Sequence, residues 1–371
     1  MPNEMQTEDG MMEKYRVGIV GATGMVGQRF ISLLKDHPWF EVTCVVASGR
    51  SAGKKYAEAV EGRWAFDWAI PEKVADMVVI NSEDIDEVAK HVDFVFCAVD
   101  MKKDEVRALE EAYAKHEIPV VSNNSACRGL SDVPMIVPEI NADHTDVIAS
   151  QRQRLGTKRG FIAVKPNCSI QSYVPALTPL MDFVPEKVSV CTYQAISGAG
   201  KTFKTWPEMV DNVIPYIGGE DEKSENEPLK LWGHVEDGRI VNATLPVISA
   251  QCLRVAASDG HMAAVSVSFR HKPSIEEIRE RWANYETEAQ RLALPSAPKP
   301  FLQYFDDPAR PQTRLDRDFQ NGFGISIGRL REDKLFDYRF VCLSHNTVRG
   351  AAGGAMLTAE LLCAKGYIVK K

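Results

Sequence analysis

No apolar run in the chain approaches the ~18 residues a membrane span needs, the clearest being short stretches such as Phe94–Val99. Its eight cysteines are scattered, with no C-x-x-C and no paired Cys/His spacing of the zinc kind, so neither a metal nor a disulfide framework is read from them. That usage fits a reducing cytoplasm. Positive charge is also short: the formal net charge is −7, which argues against a nucleic-acid partner and leaves local basic residues to serve local anions. Internal repeats and low-complexity segments are missing. Residues 1–12 carry neither a basic stretch nor an apolar one, so they do not read as a secretory leader and form the one segment expected to be disordered.

What is present is a globular composition, 44% hydrophobic and 26% charged over 371 residues, enough for two domains. From Tyr15 to about Lys165, short β-branched runs alternate with helical segments, which predicts a doubly wound α/β sheet of parallel strands. Strands are expected at Arg16–Val20, Val42–Ala47, Met77–Ile80, Phe94–Val99 and Pro119–Ser122, with a helix over Asp104–His116. After Cys168 the pattern becomes strict alternation, as in Ala263, Val265, Val267 and Phe269 against Ala264, Ser266, Ser268 and Arg270. One buried face and one open face predict a second α+β domain on a mainly antiparallel sheet, with Gly324–Leu330 and Leu335–Leu343 as a hairpin in it. A second copy of the chain could cover the open face. The helical Val348–Ala364 segment is expected to return to the first domain. The division is 14–165 with 345–371 for the first unit and 166–344 for the second.

Near the start, a strand, a glycine turn and a helix follow one another through Gly21, Ala22, Thr23, Gly24, Met25, Val26 and Gly27. Glycines at this spacing permit a tight turn, close backbone approach to a pyrophosphate and close helix–strand packing, which points to a dinucleotide rather than a bare turn. At the end of the second strand an acidic residue would suit the ribose hydroxyls of NAD. This chain has Ser48, Gly49, Arg50, Ser51 and Lys54 instead, a set suited to the 2′-phosphate of NADP unless Arg50 is only a solvated loop charge.

The second constellation is Lys165-Pro166-Asn167-Cys168-Ser169, where an apolar strand stops at a cysteine that opens a helix-like run, Ile170–Met181. A thiol at a helix N-terminus is favoured as thiolate, making Cys168 a nucleophile candidate; the alternative is one more buried core thiol. A thiolate beside a nicotinamide suits a reaction in which sulfur holds an acyl group while a hydride adds or leaves. Of the eight histidines, His261 is the best acid/base candidate, because Ser258-Asp259-Gly260 turns into the alternating strand and puts it at a sheet rim.

These motifs, with Gln194-Ala195-Ile196-Ser197-Gly198-Ala199-Gly200, Gly219–Lys223 and an Arg254 seven positions before His261, make the chain resemble the aspartate-β-semialdehyde dehydrogenases over nearly its full length, in their archaeal and fungal branch. The resemblance implies Cys168 as nucleophile, His261 as acid/base and Gln194 as the group orienting the acyl. It further implies Arg254 on the substrate carboxylate, Glu220 on its amino group, and Lys223, Asn167 and Arg128 at the phosphate. Ser197, Gly198 and Asn346 would stand by the nicotinamide. By themselves Glu220 and Lys223 read as part of a solvated charge run. Before Arg128 the chain reads Ser122-Asn123-Asn124 where many relatives begin with aspartate.

The implied activity is NADP-dependent reductive dephosphorylation of L-4-aspartyl phosphate to L-aspartate 4-semialdehyde, a step toward lysine, threonine and methionine, in a cytoplasmic homodimer or homotetramer without metal. The alternatives are a related acyl reductase acting on malonyl-CoA or N-acetyl-γ-glutamyl phosphate, a cysteine–histidine acyl hydrolase, and a non-catalytic NADP sensor. Pairing Glu220 with Arg254 suits the ammonium and carboxylate of an amino acid and disfavours the first.

Overall fold

The computed structural model describes residues 13–371, so the reading of residues 1–12 lies outside it. Six parallel strands, β1 (Tyr15–Val20), β2 (Phe40–Ala47), β3 (Ile80–Asn81), β4 (Phe94–Cys97), β5 (Val120–Ser122) and β6 (Ile162–Val164), form the first sheet. Their order is β3-β2-β1-β4-β5-β6. The strand order reverses between β1 and β4, and the crevice at their carboxyl ends is where open α/β sheets take ligands. One expected strand is displaced. Met77–Val79 turns back on the Gly53–Tyr56 loop, with Tyr56 N–H donating to Met77 O at 2.8 Å and Val79 N–H to Lys54 O at 2.9 Å, so parallel pairing with β2 begins only at Ile80.

The second sheet holds β7 (Pro185–Gln194), β8 (Val213–Ile214), β11 (Val247–Val255), β12 (His261–Phe269), β13 (Leu302–Phe305), β14 (Ile325–Glu332) and β15 (Tyr338–Ser344); β9 (His234–Glu236) and β10 (Arg239–Val241) make a separate hairpin. Its order is β13-β14-β15-β12-β7-β11-β8, antiparallel except where β13 meets β14 and β7 meets β11. The alternation holds through β12: His261, Ala263, Val265, Val267 and Phe269 are buried and the residues between them are not. Across β7 and β11 the open face continues with Lys187, Ser189, Tyr193 and Val247.

One apolar core joins the sheets, running from Val20, Val95 and Ile162 through Ile170 and Leu177 to Val188 and Val265. A second fills the other face of the first sheet, where Phe30, Phe94 and Phe96 meet Leu357 and Leu361 of the returning C-terminal helix. That segment is not one continuous helix. Val348–Ala352 forms a widened π-type turn, with Ala351 at φ −140°, ψ −111°, before the regular helix Gly353–Ala364. A buried ion pair anchors the turn: the Arg349 guanidinium donates to both oxygens of Glu139, at 2.5 and 2.7 Å, and to Gln171 Oε1 at 3.2 Å.

Breaking a buried pair leaves a charge without a partner and typically costs about 3–5 kcal/mol. Arg349→Met is expected to lose that much in urea unfolding, with part regained in Arg349→Met/Glu139→Met. A single-variant loss below about 1 kcal/mol would contradict the anchoring role.

Candidate active site

Beyond β6 the chain keeps one more sheet bond, Lys165 N–H to Ser122 O at 3.0 Å, and then turns at Pro166. Asn167 Oδ1 accepts the Ser169 N–H at 2.7 Å, which shapes the turn that presents Cys168. The expected long helix is missing: residues 168–173 are turns, followed by the four-residue helix Val174–Leu177 and a 3-10 turn, Thr178–Phe183. Cys168 therefore has no helix N-terminus to favour its thiolate. Prolines at 175 and 179, which lack an N–H, cut the run short. Burial pushes the Cys168 thiol up and Glu220 adds to this, while Lys165, Arg254 and Arg128 pull it down. From the other side Gly350 presses on it, since a Cβ there would lie 2.8 Å from the Cys168 Cβ.

His261, first residue of β12, faces the thiol with Nε2 3.5 Å from Sγ. Its Nδ1 accepts the Ala195 N–H at 3.1 Å, so the neutral ring carries its proton on Nε2 and aims it at the sulfur. Burial first, then the Arg254 charge, holds His261 well below its ordinary value of 6.5. Arg254 Nη1 donates to Ala195 O at 2.7 Å. The main chain at Gly198 passes over both groups, where a Cβ would come within 2.8 Å of Arg254 Nη1 and 3.0 Å of His261 Nε2. Asn346 ties this loop to the histidine's turn, accepting from Gly260 N–H at 2.8 Å and donating to Ser197 Oγ at 2.9 Å.

The floor is one face of the helix Glu220–Leu231. Glu220, Lys223, Glu227 and Lys230, spaced three, four and three apart, form a stripe along it. Glu220 Oε1 accepts from Asn167 Nδ2 at 2.9 Å and from Lys223 Nζ at 2.8 Å, and Oε2 from Gln194 Nε2 at 3.3 Å. Burial works to raise this carboxyl, but Lys223 and the two amides outweigh it and hold it below the usual range. Glu227 bridges the Asn167 N–H, at 2.5 Å, and Arg128 Nη1, at 2.9 Å. Lys230 donates to the carbonyls of Arg128, Leu130 and Val133, fixing the loop that carries Arg128. Beside them opens a cavity of about 530 Å³ bordered by Lys103, Ser125, Arg128, Lys223 and Glu227.

At the carboxyl end of β1, Gly21 has φ +91° and room for no side chain, a Cβ falling 2.3 Å from Ala98 O. Gly27 is equally constrained, 2.3 Å from Gly21 O. Ala22, Thr23, Gly24, Met25 and Val26 pass between them into the helix Met25–Leu34, and this bare backbone at a helix start fits a dinucleotide pyrophosphate. Ser48 and Arg50 stand exposed at the end of β2, apart from the thiol, with the buried Ser51 donating its N–H to Ser48 O at 2.9 Å.

Thus two hydrogen-bonded groups, Cys168–His261–Arg254 linked through Ala195 and Glu220–Asn167–Gln194–Lys223 linked through Glu227 to Arg128, are joined by the chain at Asn167–Cys168 and Gln194–Ala195. The sequence by itself assigns no role to Lys165, Glu227, Lys230 or Gly350. The helical stripe through 220, 223, 227 and 230 was the available signal for two of them; nothing local marked Lys165 or Gly350.

Residues 16–148 match the family model "Semialdehyde dehydrogenase, NAD binding domain", and residues 177–349 match "Semialdehyde dehydrogenase, dimerisation domain". The chain is 43% identical to an aspartate-semialdehyde dehydrogenase of Aspergillus fumigatus, covering 96% of this chain and 99% of that one. It is 42% identical to one of Methanothermobacter thermautotrophicus, covering 93% and 98%. Among solved structures, the Candida albicans aspartate-semialdehyde dehydrogenase with NADP superposes with a TM-score of 0.86 at 39% identity, covering 96% of this chain and 100% of that chain.

A histidine depressed on folding leaves stability intact above about pH 6.5 and lowers it below, where only the unfolded chain takes up the proton. The His261 ring signal is expected to show no NMR titration midpoint between pH 6 and 7. A midpoint there would contradict the neutral, Nε2-protonated ring.

Proposed function

The chain belongs to the aspartate-semialdehyde dehydrogenase family, and on that premise we propose that it converts L-4-aspartyl phosphate to L-aspartate 4-semialdehyde and phosphate with NADPH. The observation that carries the reading is the Cys168–His261 pair at 3.5 Å under the Gly198 backbone. We assign residues 14–165 with 345–371 to cofactor binding and 166–344 to catalysis and dimerisation. The glycine cradle from Gly21 to Gly27 would hold the pyrophosphate, with Ser48, Arg50 and Ser51 on the 2′-phosphate and Ser197, Gly198 and Asn346 beside the nicotinamide.

The Cys168 thiolate sulfur forms a bond to the acyl carbon, and the His261 Nε2–H steadies the oxygen that becomes negative. Arg128, Lys223 and Asn167 hold the phosphoryl group as the C–O bond breaks and phosphate departs, leaving a thioester on Cys168. Arg254 takes the α-carboxylate, Glu220 the ammonium, and Gln194 orients the acyl group. NADPH, when bound, supplies the hydride equivalent. His261 again faces the oxygen while the C–S bond breaks, which releases the aldehyde and restores the thiolate. An ionised Glu220 within the field of Arg254 supports an amino-acid substrate over malonyl-CoA or an N-acylated one. The open sheet face, in a domain matched as a dimerisation domain, supports a homodimer or homotetramer, and the free cysteines support a reducing cytoplasm.

Purified protein is expected to reduce NADP, read at 340 nm, with L-aspartate 4-semialdehyde only when phosphate is present. Turnover with malonyl-CoA and not the aldehyde would select the other reductase. Cys168→Ala should lower kcat by about 10³-fold or more with NADP binding retained. Arg50→Asp should raise KM for NADP roughly tenfold while leaving NAD little changed; equal losses would remove the 2′-phosphate assignment.

A further inference from the structure

Lys165 is buried, 3% exposed, in the strand extension leading to Cys168, and its ammonium donates to the carbonyls of Pro166 and Gly350. Those carbonyls belong to the two walls that hold Cys168, the Pro166–Ser169 turn before it and the Gly350 main chain packed on its Cβ. The lysine stem lies against Gly354, where a Cβ would be 3.9 Å from Cδ, so the side chain spans from the first sheet to the returning C-terminal segment. An ammonium in so dry a place is held by few partners, and it joins a thiol that has lost its expected helix dipole.

We infer that Lys165 is the positioning residue that both pins the Cys168 turn against Gly350 and supplies positive charge that favours the thiolate. Neutral His261 offers the sulfur a hydrogen bond but no charge. The charged groups that act on Cys168 are Lys165, Arg254 and Arg128, which favour the thiolate, and Glu220, which opposes it. Arg254 is tied to Ala195 O and Arg128 to Glu227 and Asn123 O, whereas Lys165 bonds directly to the residues that enclose the sulfur. Burial, then Arg128, lowers the Lys165 ammonium to about 7, while Cys168, Glu227 and Glu220 act to keep it charged. Ionising the thiol thus strengthens the lysine's own charge, and the two form a mutually supporting pair.

The inference rests on Cys168 as nucleophile, and its test reads the thiol without turnover. The rate of iodoacetamide labelling of the Cys168 peptide, followed by mass spectrometry against pH, gives the thiolate midpoint. In Lys165→Met and in Lys165→Gln, which keeps a donor but not the charge, that midpoint is expected to rise by about one pH unit. Labelling at pH 7 should fall about tenfold. Thermal midpoint and NADP affinity, measured on the same proteins, show whether each variant is folded. If folded Lys165→Gln labels with the wild-type profile, the electrostatic role is overturned and only a structural one is left. Turnover retained in Cys168→Ala would refute the nucleophile reading separately, whatever the lysine variants show.

Discussion

A charge taken out of water must be met by another charge or by aligned dipoles, and the region around Cys168 is built under that rule. Glu220 is enclosed by Lys223, Asn167 and Gln194, Glu227 by Arg128 and the Asn167 N–H, Lys230 by three carbonyls and Lys165 by two. Glu227, Lys230 and Lys165 are each tied to a backbone segment that must be correctly placed for the bond to form. The electrostatic network is thus also the scaffold: satisfying Glu227 sets the Cys168 turn, and satisfying Lys230 sets the Arg128 loop. Replacing one member strands its partner in a medium that solvates it poorly, so its effect spreads beyond its own contacts.

The histidine is governed by the same rule with the opposite outcome. Burial and the neighbouring Arg254 deny His261 a positive charge, and the Ala195 N–H decides which nitrogen keeps the proton. A neutral ring with its N–H directed at the sulfur can meet a negative oxygen formed beside that sulfur without first acquiring a proton. The chemistry of the pair therefore follows from a main-chain donor in the Gln194–Gly200 loop as much as from the side chains themselves.

The parallel first sheet, the alternating second sheet and the β14/β15 hairpin were legible because each depends on local apolar periodicity. Besides the π-type turn at Val348–Ala352, two segments depart from their local composition for reasons of tertiary origin. Met77–Val79 has strand composition, but its backbone groups are taken by the Gly53–Tyr56 loop. Ile170–Met181 has helical composition, but prolines and the need to present Cys168 leave it as turns followed by two short helical pieces. In the site, Cys168 and the glycine cradle announced themselves by motif and His261 by its place after a turn. Glu220 and Lys223 came only through family resemblance, because a stretch dense in charge looks solvated until its partners, distant in sequence, are known. Lys165 could not be distinguished from an ordinary strand-end lysine: its meaning lies in Gly350, contributed from the far end of the chain.

That remote contribution also bears on how the protein is made. The glycine cradle, the first sheet and Cys168 are all synthesised well before Gly350 and the helix that closes the first sheet. Until they arrive, the thiol has neither its second wall nor the carbonyl that completes the Lys165 clamp. A translation product interrupted before Gly350 would carry the cysteine without the geometry around it.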